Sequence, residues 1–425
     1  MRATCLAVLA LQAASAVLGS PVPQDQEDGS SLVVTSDPAV DLEQLQTLAA
    51  EALQKAQEGV SEDEAARKKR GDTSVDKRSD PPCTLLNLKI RREWGALSKA
   101  ERTSYINAVK CLQSKPAKTP AQLAPGAKTR FDDFVATHIN QTLEIHYTGN
   151  FLSWHRYYVW IYEQALQQEC GYKGTQPYWD WAKTAVTGLE SSPIFDGSAT
   201  SMSGNGAKID NQPDIVLGAS TGLPPVYLPA GTGGGCVTSG PFKDMSVNLG
   251  PVALDLPGGT SAGNPAGALA YNPRCLKRDL TTKINQKYAN ATAILSNILN
   301  PKTVEAFQMQ MQGIPGSGNI GIHGGGHYSL GGDPGRDVFT SPGDPAFYLL
   351  HGMIDRTWWM WQSLSPITRQ FTSSAISGTN TFMNSPASPN TTLTDFIDLG
   401  FSGGPNRQIK DVLSTVSGPF CYVYI

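Results

Sequence analysis

The histidines of the chain are the residues best suited to chemistry, and they fall into two groups of three. The groups are His138, His146 and His155, then His323, His327 and His351, and no histidine lies outside them. A lone histidine on an apolar helix face is usually a hydrogen-bonded core residue, but that interpretation does not explain why all six are grouped. Neutral imidazole binds copper, zinc, iron or nickel, and three such ligands leave a coordination position open for substrate. The pattern predicts a two-metal catalytic centre.

The acidic residues narrow the choice of metal because few of them lie near these histidines. Magnesium, calcium and carboxylate-bridged di-iron sites all depend on several carboxylates, so all-imidazole ligation favours copper or zinc. Only 17% of the residues are charged and the net charge is −3. This balance predicts no nucleic-acid partner.

The segment at residues 322–328, IHGGGHY, spaces two histidines four residues apart. Both imidazoles can reach one metal if the segment is helical, although each of the three glycines costs a helix about 1 kcal/mol relative to alanine. We expect tertiary contacts and the metal to hold this helix. We also expect the missing side chains to leave room for a flat ligand beside the metal.

Four amphipathic patterns predict the helices of the fold, and three of them carry histidines. The first helix covers residues 129–141, and the second starts with Ser153 as its cap and ends at Gly171. The third follows Pro301 and stops near Gly313. The fourth has Asp344 as its cap with proline in the first position, and it carries His351. The predicted fold is mainly α, an antiparallel four-helix bundle holding a binuclear metal centre, with long Gly/Pro-rich loops and few short strands.

The first 78 residues are expected to be processed away from a secreted chain. Residues 1–19 have one positive charge, a short apolar run and small residues, as a signal peptide does, and no later stretch is long enough to span a membrane. Residues 20–78 contain two basic clusters and are predicted to be a propeptide cut at Arg70 or Arg78, leaving residues 79–425 as the catalytic domain.

The cysteines and glycosylation motifs agree with secretion. Six cysteines outside the signal peptide are scattered without CxxC spacing, which favours disulfides over zinc, and 15 pairings are open. The sequons begin at Asn140, Asn290 and Asn390.

Two further motifs suggest other enzymes but lack the required context. The GxSxG match at residues 259–263 has loop on both sides and precedes, rather than follows, the HGGG of residues 323–326, so a serine hydrolase is disfavoured. The GxGxxG match at residues 316–321 follows no strand, which disfavours dinucleotide binding.

Three motifs stand beside the histidines: FLSWHRYYVWIYEQAL around His155, DPAFYLLHGMIDR around His351, and PYWDWA at residues 177–182. With these motifs, the chain from residue 130 to 424 resembles the tyrosinase and catechol oxidase family of type 3 copper proteins, in particular its short secreted fungal members. It implies that the first histidine group binds copper A and the second copper B. It also implies that O2 is the co-substrate, that small phenols are oxidised to o-quinones, and that water is the co-product. The oligomeric state stays open.

Four departures from the family pattern bear on specificity. Glu144 stands where many tyrosinases have a cysteine that forms a thioether with histidine, and Leu350 precedes His351 where a histidine is frequent. Val338 stands where plant catechol oxidases have a phenylalanine gate, which implies a more open entrance. Gly324 replaces the asparagine thought to help deprotonate monophenols.

The acidic partner of that asparagine is also missing, because the upstream helix offers Gln308, Gln310 and Gln312. A neutral amide organises a base less well than a carboxylate does. The sequence therefore predicts a catechol oxidase with weaker monophenol hydroxylation. A true tyrosinase or an o-aminophenol oxidase is the alternative, and an O2 carrier a remote one.

Two residues near His351 have open roles. Asp355 is expected either to accept a proton from a ligand imidazole or to form a salt bridge with Arg356 or a neighbouring helix. Phe347 is expected either to contact a substrate ring or to belong to the core.

Overall fold

The computed structural model describes residues 80–218 and 224–425. The predicted signal peptide and propeptide, with both cleavage positions, lie outside the described residues. Within the described part of the chain, no helix combines the length and the apolar character needed to cross a membrane.

Helices dominate the described residues, and their bounds follow the chain order. They are α1 Lys99–Ser114, α2 Arg130–Ile145, α3 Phe151–Cys170, α4 Trp181–Thr187, α5 Thr282–Tyr288, α6 Ala291–Leu299, α7 Val304–Gln312, α8 Gly321–Leu330, α9 Phe347–Ser363 and α10 Pro366–Gln370. The histidine-bearing helices are α2, α3, α8 and α9. The predicted mainly helical bundle is confirmed.

The third predicted helix is present. Helix α7 ends at Gln312 with Gly313 as its C-cap, close to where the sequence indicates; it carries no histidine and packs against α6 and α8. The fourth histidine-bearing helix is α8, whose three successive glycines obscure the amphipathic pattern that marks the others.

The first turns of two helices also differ from the predictions. Helix α3 begins after Asn150, so Ser153 lies inside its first turn and donates a hydrogen bond to the Asn150 carbonyl at 3.3 Å. Helix α9 begins after Ala346 rather than Asp344. The Asp344 carboxylate accepts a hydrogen bond from the Ala346 N–H at 2.9 Å and two from Arg278, which places it in the turn before the helix.

The strands are short and pair two by two. They are β1 Lys89–Arg91, β2 Gly206–Lys208, β3 Ile215–Leu217, β4 Val226–Leu228, β5 Gly234–Val237, β6 Ser246–Val247, β7 Leu254–Asp255, β8 Ser261–Ala262, β9 Arg274–Cys275, β10 Phe396–Ile397, β11 Arg407–Gln408 and β12 Tyr422–Tyr424. Strand β1 pairs in parallel with β12, and the other pairs are β2–β5, β3–β4, β6–β9, β7–β8 and β10–β11, all antiparallel. The Gly/Pro-rich stretch of residues 185–270 holds seven of these strands between loops, in its described part.

Three disulfides fix the loops and the chain ends. The pairs are Cys83–Cys421, Cys111–Cys170 and Cys236–Cys275, one of the 15 pairings that the sequence left open. The first joins the segment before β1 to the residue that precedes β12, and the second joins α1 to the end of α3. The second disulfide therefore ties α3, which carries His155, to α1.

Candidate metal centre

The two histidine groups of the sequence are two clusters in space. In each cluster, one ring nitrogen from every histidine lies within 4.8 Å of those of the other two. His138 comes from α2, His155 from α3 and His351 from α9, whereas His146 is the residue after α2. His323 and His327 lie one turn apart on α8, so the predicted helical spacing is present.

The clusters adjoin each other at the centre of the bundle. The rings of His155 and His351, one from each cluster, stack with centroids 4.6 Å apart, and those of His146 and His323 are 5.9 Å apart. Two metals held by these clusters would therefore be neighbours, as a binuclear centre requires.

Backbone carbonyls orient four of the imidazoles. Nδ1 of His138 is 2.8 Å from the Phe339 carbonyl oxygen, that of His146 is 2.9 Å from Thr142 O, that of His155 is 2.7 Å from Phe151 O, and that of His327 is 3.0 Å from Gly335 O. A carbonyl accepts only from an N–H, so each contact assigns the proton to Nδ1 and leaves the Nε2 lone pair for a metal.

The ring nitrogens that face the centre satisfy the test for metal binding. Nε2 of His138, His155 and His323 is buried and has no hydrogen-bond partner among the described residues. Buried polar atoms are normally paired, so three unpaired lone pairs directed into one space require an explanation. Six neutral imidazoles form a donor set that fits copper.

Burial keeps these imidazoles neutral. It is the largest cause lowering the pKa of every histidine in both clusters, and charges on neighbouring histidines add to it for most of them. The pKa falls to about 4 for His146 and for His327, where the hydrogen bonds to Thr142 O and Gly335 O act in the opposite direction. The ligands are thus ready to bind metal at neutral and mildly acidic pH.

These pKa shifts predict that the metal-free protein loses stability in mild acid. An unfolded histidine titrates near pH 6.5, so between there and about pH 4 the unfolded chain binds protons that the folded chain excludes. The contribution of the buried histidines to the free energy of unfolding is complete above pH 6.5. It falls as pH decreases, by about 1.4 kcal/mol per pH unit for each histidine involved. Urea unfolding at pH 7.5 and 5.0, with and without copper, measures this. An equal free energy of unfolding at both pH values in the metal-free protein would contradict it.

The glycines between His323 and His327 mainly allow close helix packing. A Cβ on Gly325 would lie 2.8 Å from the Tyr288 Cβ, and one on Gly326 would lie 3.1 Å from the Trp181 ring. The expectation that all three glycines make room for a ligand is therefore wrong for Gly325 and Gly326. A Cβ on Gly324 would meet only the Ile320 side chain, at 3.0 Å.

Comparison with known proteins decides the family. Residues 128–364 match the family model of the common central domain of tyrosinase. The chain belongs to the tyrosinase family. Its members are oxidoreductases with a binuclear copper centre that uses O2 and acts on small phenols, and the two histidine clusters of this tyrosinase-family chain fit that centre.

Individual relatives cover most of the chain. It is 42% identical over 336 residues to Tyrosinase P of Aspergillus terreus, a match that spans 79% of this chain and 91% of the relative. It is 41% identical over 354 residues to N-acetyl-6-hydroxytryptophan oxidase of Emericella nidulans, spanning 80% and 93%. The solved polyphenol oxidase of Thermothelomyces thermophila, in a mutant form, superposes with a TM-score of 0.76 at 46% identity, covering 89% of this chain and 97% of that one.

Phe347 packs beneath the clusters of this tyrosinase-family chain. It is buried, its ring stacks on His351 with centroids 4.1 Å apart, and it meets His138 edge-on at 5.5 Å. Of the two roles expected from the sequence, the structure gives it the contacts of a core residue, packed against one histidine of each cluster.

Val338 and Gln312 lie at the margins of the centre. Val338 is 38% exposed, and the next residue supplies the carbonyl that holds His138. Gln312 is buried, and its side-chain oxygen accepts a hydrogen bond from the Tyr147 N–H at 2.7 Å, next to His146.

Asp355 does not contact an imidazole among the described residues. Its carboxylate accepts hydrogen bonds from Arg156 of α3 at 2.5 Å and from the hydroxyls of Tyr422 and Tyr424, each at 2.6 Å. The alternative of a salt bridge to a neighbouring helix is the correct one, although the partner is Arg156 and not Arg356.

The carbonyls that orient the imidazoles are the functional groups that sequence reasoning missed. Phe339 and Gly335 belong to the loop between α8 and α9, and both hold a histidine through the main chain. Every residue has such a carbonyl, whatever its side chain. No side-chain signal could therefore have identified these two positions.

Proposed function

We propose that this chain is a secreted polyphenol oxidase that oxidises o-diphenols to o-quinones with O2 and hydroxylates monophenols more slowly. His138, His146 and His155 would hold copper A, and His323, His327 and His351 would hold copper B. The observation that carries the proposal is the pair of adjoining, buried imidazole clusters with unpaired nitrogens directed inward. The bound copper pair supplies dioxygen binding and electron transfer from the phenol.

The preference for o-diphenols rests on the groups available to remove a proton from a monophenol. An o-diphenol needs only oxidation, but a monophenol must first be deprotonated and hydroxylated. Gly324 offers no side chain for this task, and the amides of Gln308 and Gln312 are neutral and already bonded to Ser377 O and the Tyr147 N–H. Val338 is small and 38% exposed, which supports access of a small aromatic ring on this side.

Initial rates of oxygen uptake with 4-methylcatechol and with tyrosine test this preference. We expect rapid uptake with the catechol, and a lag and a lower rate with tyrosine. Tyrosine turned over without a lag and as fast as the catechol would refute the preference.

Replacing Gly324 with asparagine is predicted to raise the tyrosine rate relative to the catechol rate several-fold. The backbone there is helical and the added Cβ would meet only Ile320, so the substitution requires a small shift of that side chain. Gly324→Ala is the matched control because it adds the Cβ without an amide. An equal ratio of rates in both variants would show that the amide has no such role.

A second candidate is oxidation of hydroxylated indoles or o-aminophenols. A relative that shares 41% identity is named for oxidation of N-acetyl-6-hydroxytryptophan, a phenol fused to a pyrrole ring. Oxygen uptake with 6-hydroxyindole and with 2-aminophenol, compared with 4-methylcatechol by kcat/KM, distinguishes the candidates.

The proposal includes maturation by proteolysis, with a signal peptide at residues 1–19, a propeptide at 20–78 and the copper domain at 79–425. Three disulfides in the described residues support an oxidising compartment. Near the proposed cut, Asp80 forms an ion pair with Arg407 and Cys83 is bonded to Cys421. The first residues of the domain that remains after the cut are therefore held to its C-terminal part. N-terminal sequencing of the mature protein tests the cleavage position.

A further inference from the structure

The metal centre is open to solvent beside His327. The other five histidines of the two clusters are buried, whereas His327 is partly exposed. Two residues next to it on α8, Gly324 and Tyr328, are partly exposed as well. A substrate that approaches the centre from solvent therefore arrives on this side of α8.

The segment of residues 335–339 adjoins this opening and contacts both clusters. Its first carbonyl lies 3.0 Å from Nδ1 of His327, and its last carbonyl lies 2.8 Å from Nδ1 of His138. Between these two contacts a buried residue separates Arg336, which is partly exposed, from Val338, which is 38% exposed. The side chains of Arg336 and Val338 thus lie on the outward side of a segment that joins the two clusters.

The guanidinium of Arg336 has one partner among the described residues. Its Nε donates a hydrogen bond to the Asp255 carbonyl at 2.9 Å, and its two terminal nitrogens make no hydrogen bond or ion pair within that part of the chain. Burial is the largest influence on the pKa of Arg336 and lowers it, although surrounding charges act to raise it. The fully buried arginines, by contrast, each pair with a carboxylate, and they are Arg91, Arg130, Arg156 and Arg278.

Three acidic residues act on the charge of Arg336, but each of them is engaged elsewhere. The Asp255 carboxylate accepts a hydrogen bond from a tyrosine hydroxyl of α8, and that of Asp333 pairs with an arginine of β9. The Asp279 carboxylate accepts hydrogen bonds from a glutamine side chain and from two backbone N–H groups. No described carboxylate pairs with the guanidinium, so its terminal N–H groups are available to an anion from outside.

We propose that Arg336 binds a carboxylate carried by the substrate, so that the enzyme prefers phenols with a short acidic side chain. A guanidinium matches the shape of a carboxylate and donates charge-assisted hydrogen bonds to it. A phenol whose ring lies at the histidine clusters extends its side chain outward, over the segment that carries Val338 and Arg336. The inference rests on the proposed oxidase function and names its substrate class.

Two substrates that differ in charge test the inference. They are 3-(3,4-dihydroxyphenyl)propanoate and its methyl ester. The saturated spacer separates the carboxyl group from the ring, so the two catechol rings are equally easy to oxidise. The ratio of kcat/KM for the acid to kcat/KM for the ester therefore reports on recognition of the carboxylate.

The variants remove or keep the charge at one position. Arg336→Gln removes it, and Arg336→Lys keeps it without the planar fork of donors. The matched control is Arg102→Gln, which changes the net charge equally. Arg102 is a partly buried arginine of α1 that donates to the carbonyls of Leu97 and Gly95, each at 3.0 Å.

We expect Arg336→Gln to lower the acid-to-ester ratio about 10-fold, the effect of losing one hydrogen bond between charged groups, and to do so through KM for the acid. Arg336→Lys should give an intermediate ratio, and Arg102→Gln the ratio of the wild type. Metal analysis should find two coppers per chain in all the proteins, because the Gly335 carbonyl that holds His327 belongs to the main chain.

An acid-to-ester ratio that stays the same in Arg336→Gln would overturn the inference. Equal losses for the acid and the ester, or lost copper, would also overturn it, because they would show that Arg336 only supports the fold. An equal fall of the ratio in Arg102→Gln would attribute the effect to net charge and contradict a specific site. Absence of oxidation of both substrates by the copper-loaded wild type would instead contradict the proposed oxidase itself.

Discussion

His351→Asn is expected to bind one copper per chain instead of two and to lose more than about 100-fold in catechol oxidation, since even residues that only support metal ligands typically contribute 10–100-fold. His351 belongs to the second cluster and borders the first, with its ring stacked on His155 and on Phe347. Asparagine cannot carry an imidazole nitrogen to the same place, so the second cluster is left with His323 and His327. Two histidines hold a metal far more weakly than three.

Metal analysis after gel filtration and initial rates of oxygen uptake measure the two effects. Met353→Leu is the matched control because it is buried on the same helix and the change conserves volume. We expect this control to keep two coppers and full activity. A His351→Asn protein that still bound two coppers and oxidised catechol at an undiminished rate would show that His351 is not a ligand.

Asp355→Asn is expected to lower the free energy of unfolding by about 3–5 kcal/mol, the usual cost of leaving a buried charge without its partner. The Asp355 carboxylate compensates Arg156 at 2.5 Å and Arg91 at 3.3 Å, and all three side chains are buried. It also accepts hydrogen bonds from the hydroxyls of Tyr422 and Tyr424. Asparagine would remove the charge and present an amide N–H to groups that are all donors.

The same interaction predicts the pH dependence of this effect. Burial acts to raise the pKa of Asp355, but the guanidinium groups of Arg156 and Arg91, together with the two tyrosine hydroxyls, outweigh it and hold the pKa below the usual range. The carboxylate therefore stabilises the fold above the unfolded pKa of about 3.9, and the contribution is lost as pH falls through the folded pKa. The difference between wild type and variant should be largest at neutral pH and shrink in strong acid.

Unfolding in guanidinium chloride at pH 7 and pH 3 measures the difference in free energy of unfolding between the wild type and Asp355→Asn. Asp210→Asn is the matched control, because that carboxylate pairs with Lys208 at the surface and should change stability by less than about 0.5 kcal/mol. If Asp355→Asn changed the free energy of unfolding at pH 7 by less than about 0.5 kcal/mol, the buried arginines would not depend on this carboxylate, contrary to the prediction.

The two histidine clusters were predictable because so few residues were involved. With six histidines in the chain and none elsewhere, grouping by sequence separation was enough to divide them into the clusters that the structure brings together. The helices that carry His138, His155 and His351 were predictable from their apolar stripes. Helix α8 was harder because its glycines pack against Tyr288 and Trp181, contacts that only the tertiary structure contains.

Interactions between distant segments account for what the sequence did not predict. Asp344 looks like a helix cap but pairs with Arg278, 66 residues earlier in the chain, and α9 begins three residues later, at Phe347. Asp355 lies one turn after His351, yet its partners come from α3 and β12. Pairing of the cysteines likewise depends on which loops meet, as for Cys83 and Cys421, which are 338 residues apart.

Oxygen uptake by the copper-loaded protein, trimmed of residues 1–78 and given 4-methylcatechol with and without a copper chelator, is the most direct test of the proposed oxidase. We predict two coppers per chain, rapid uptake, formation of the o-quinone, and loss of all uptake with the chelator. Two bound coppers with no oxygen consumption would contradict the proposal and would indicate a centre that binds O2 without oxidising phenols.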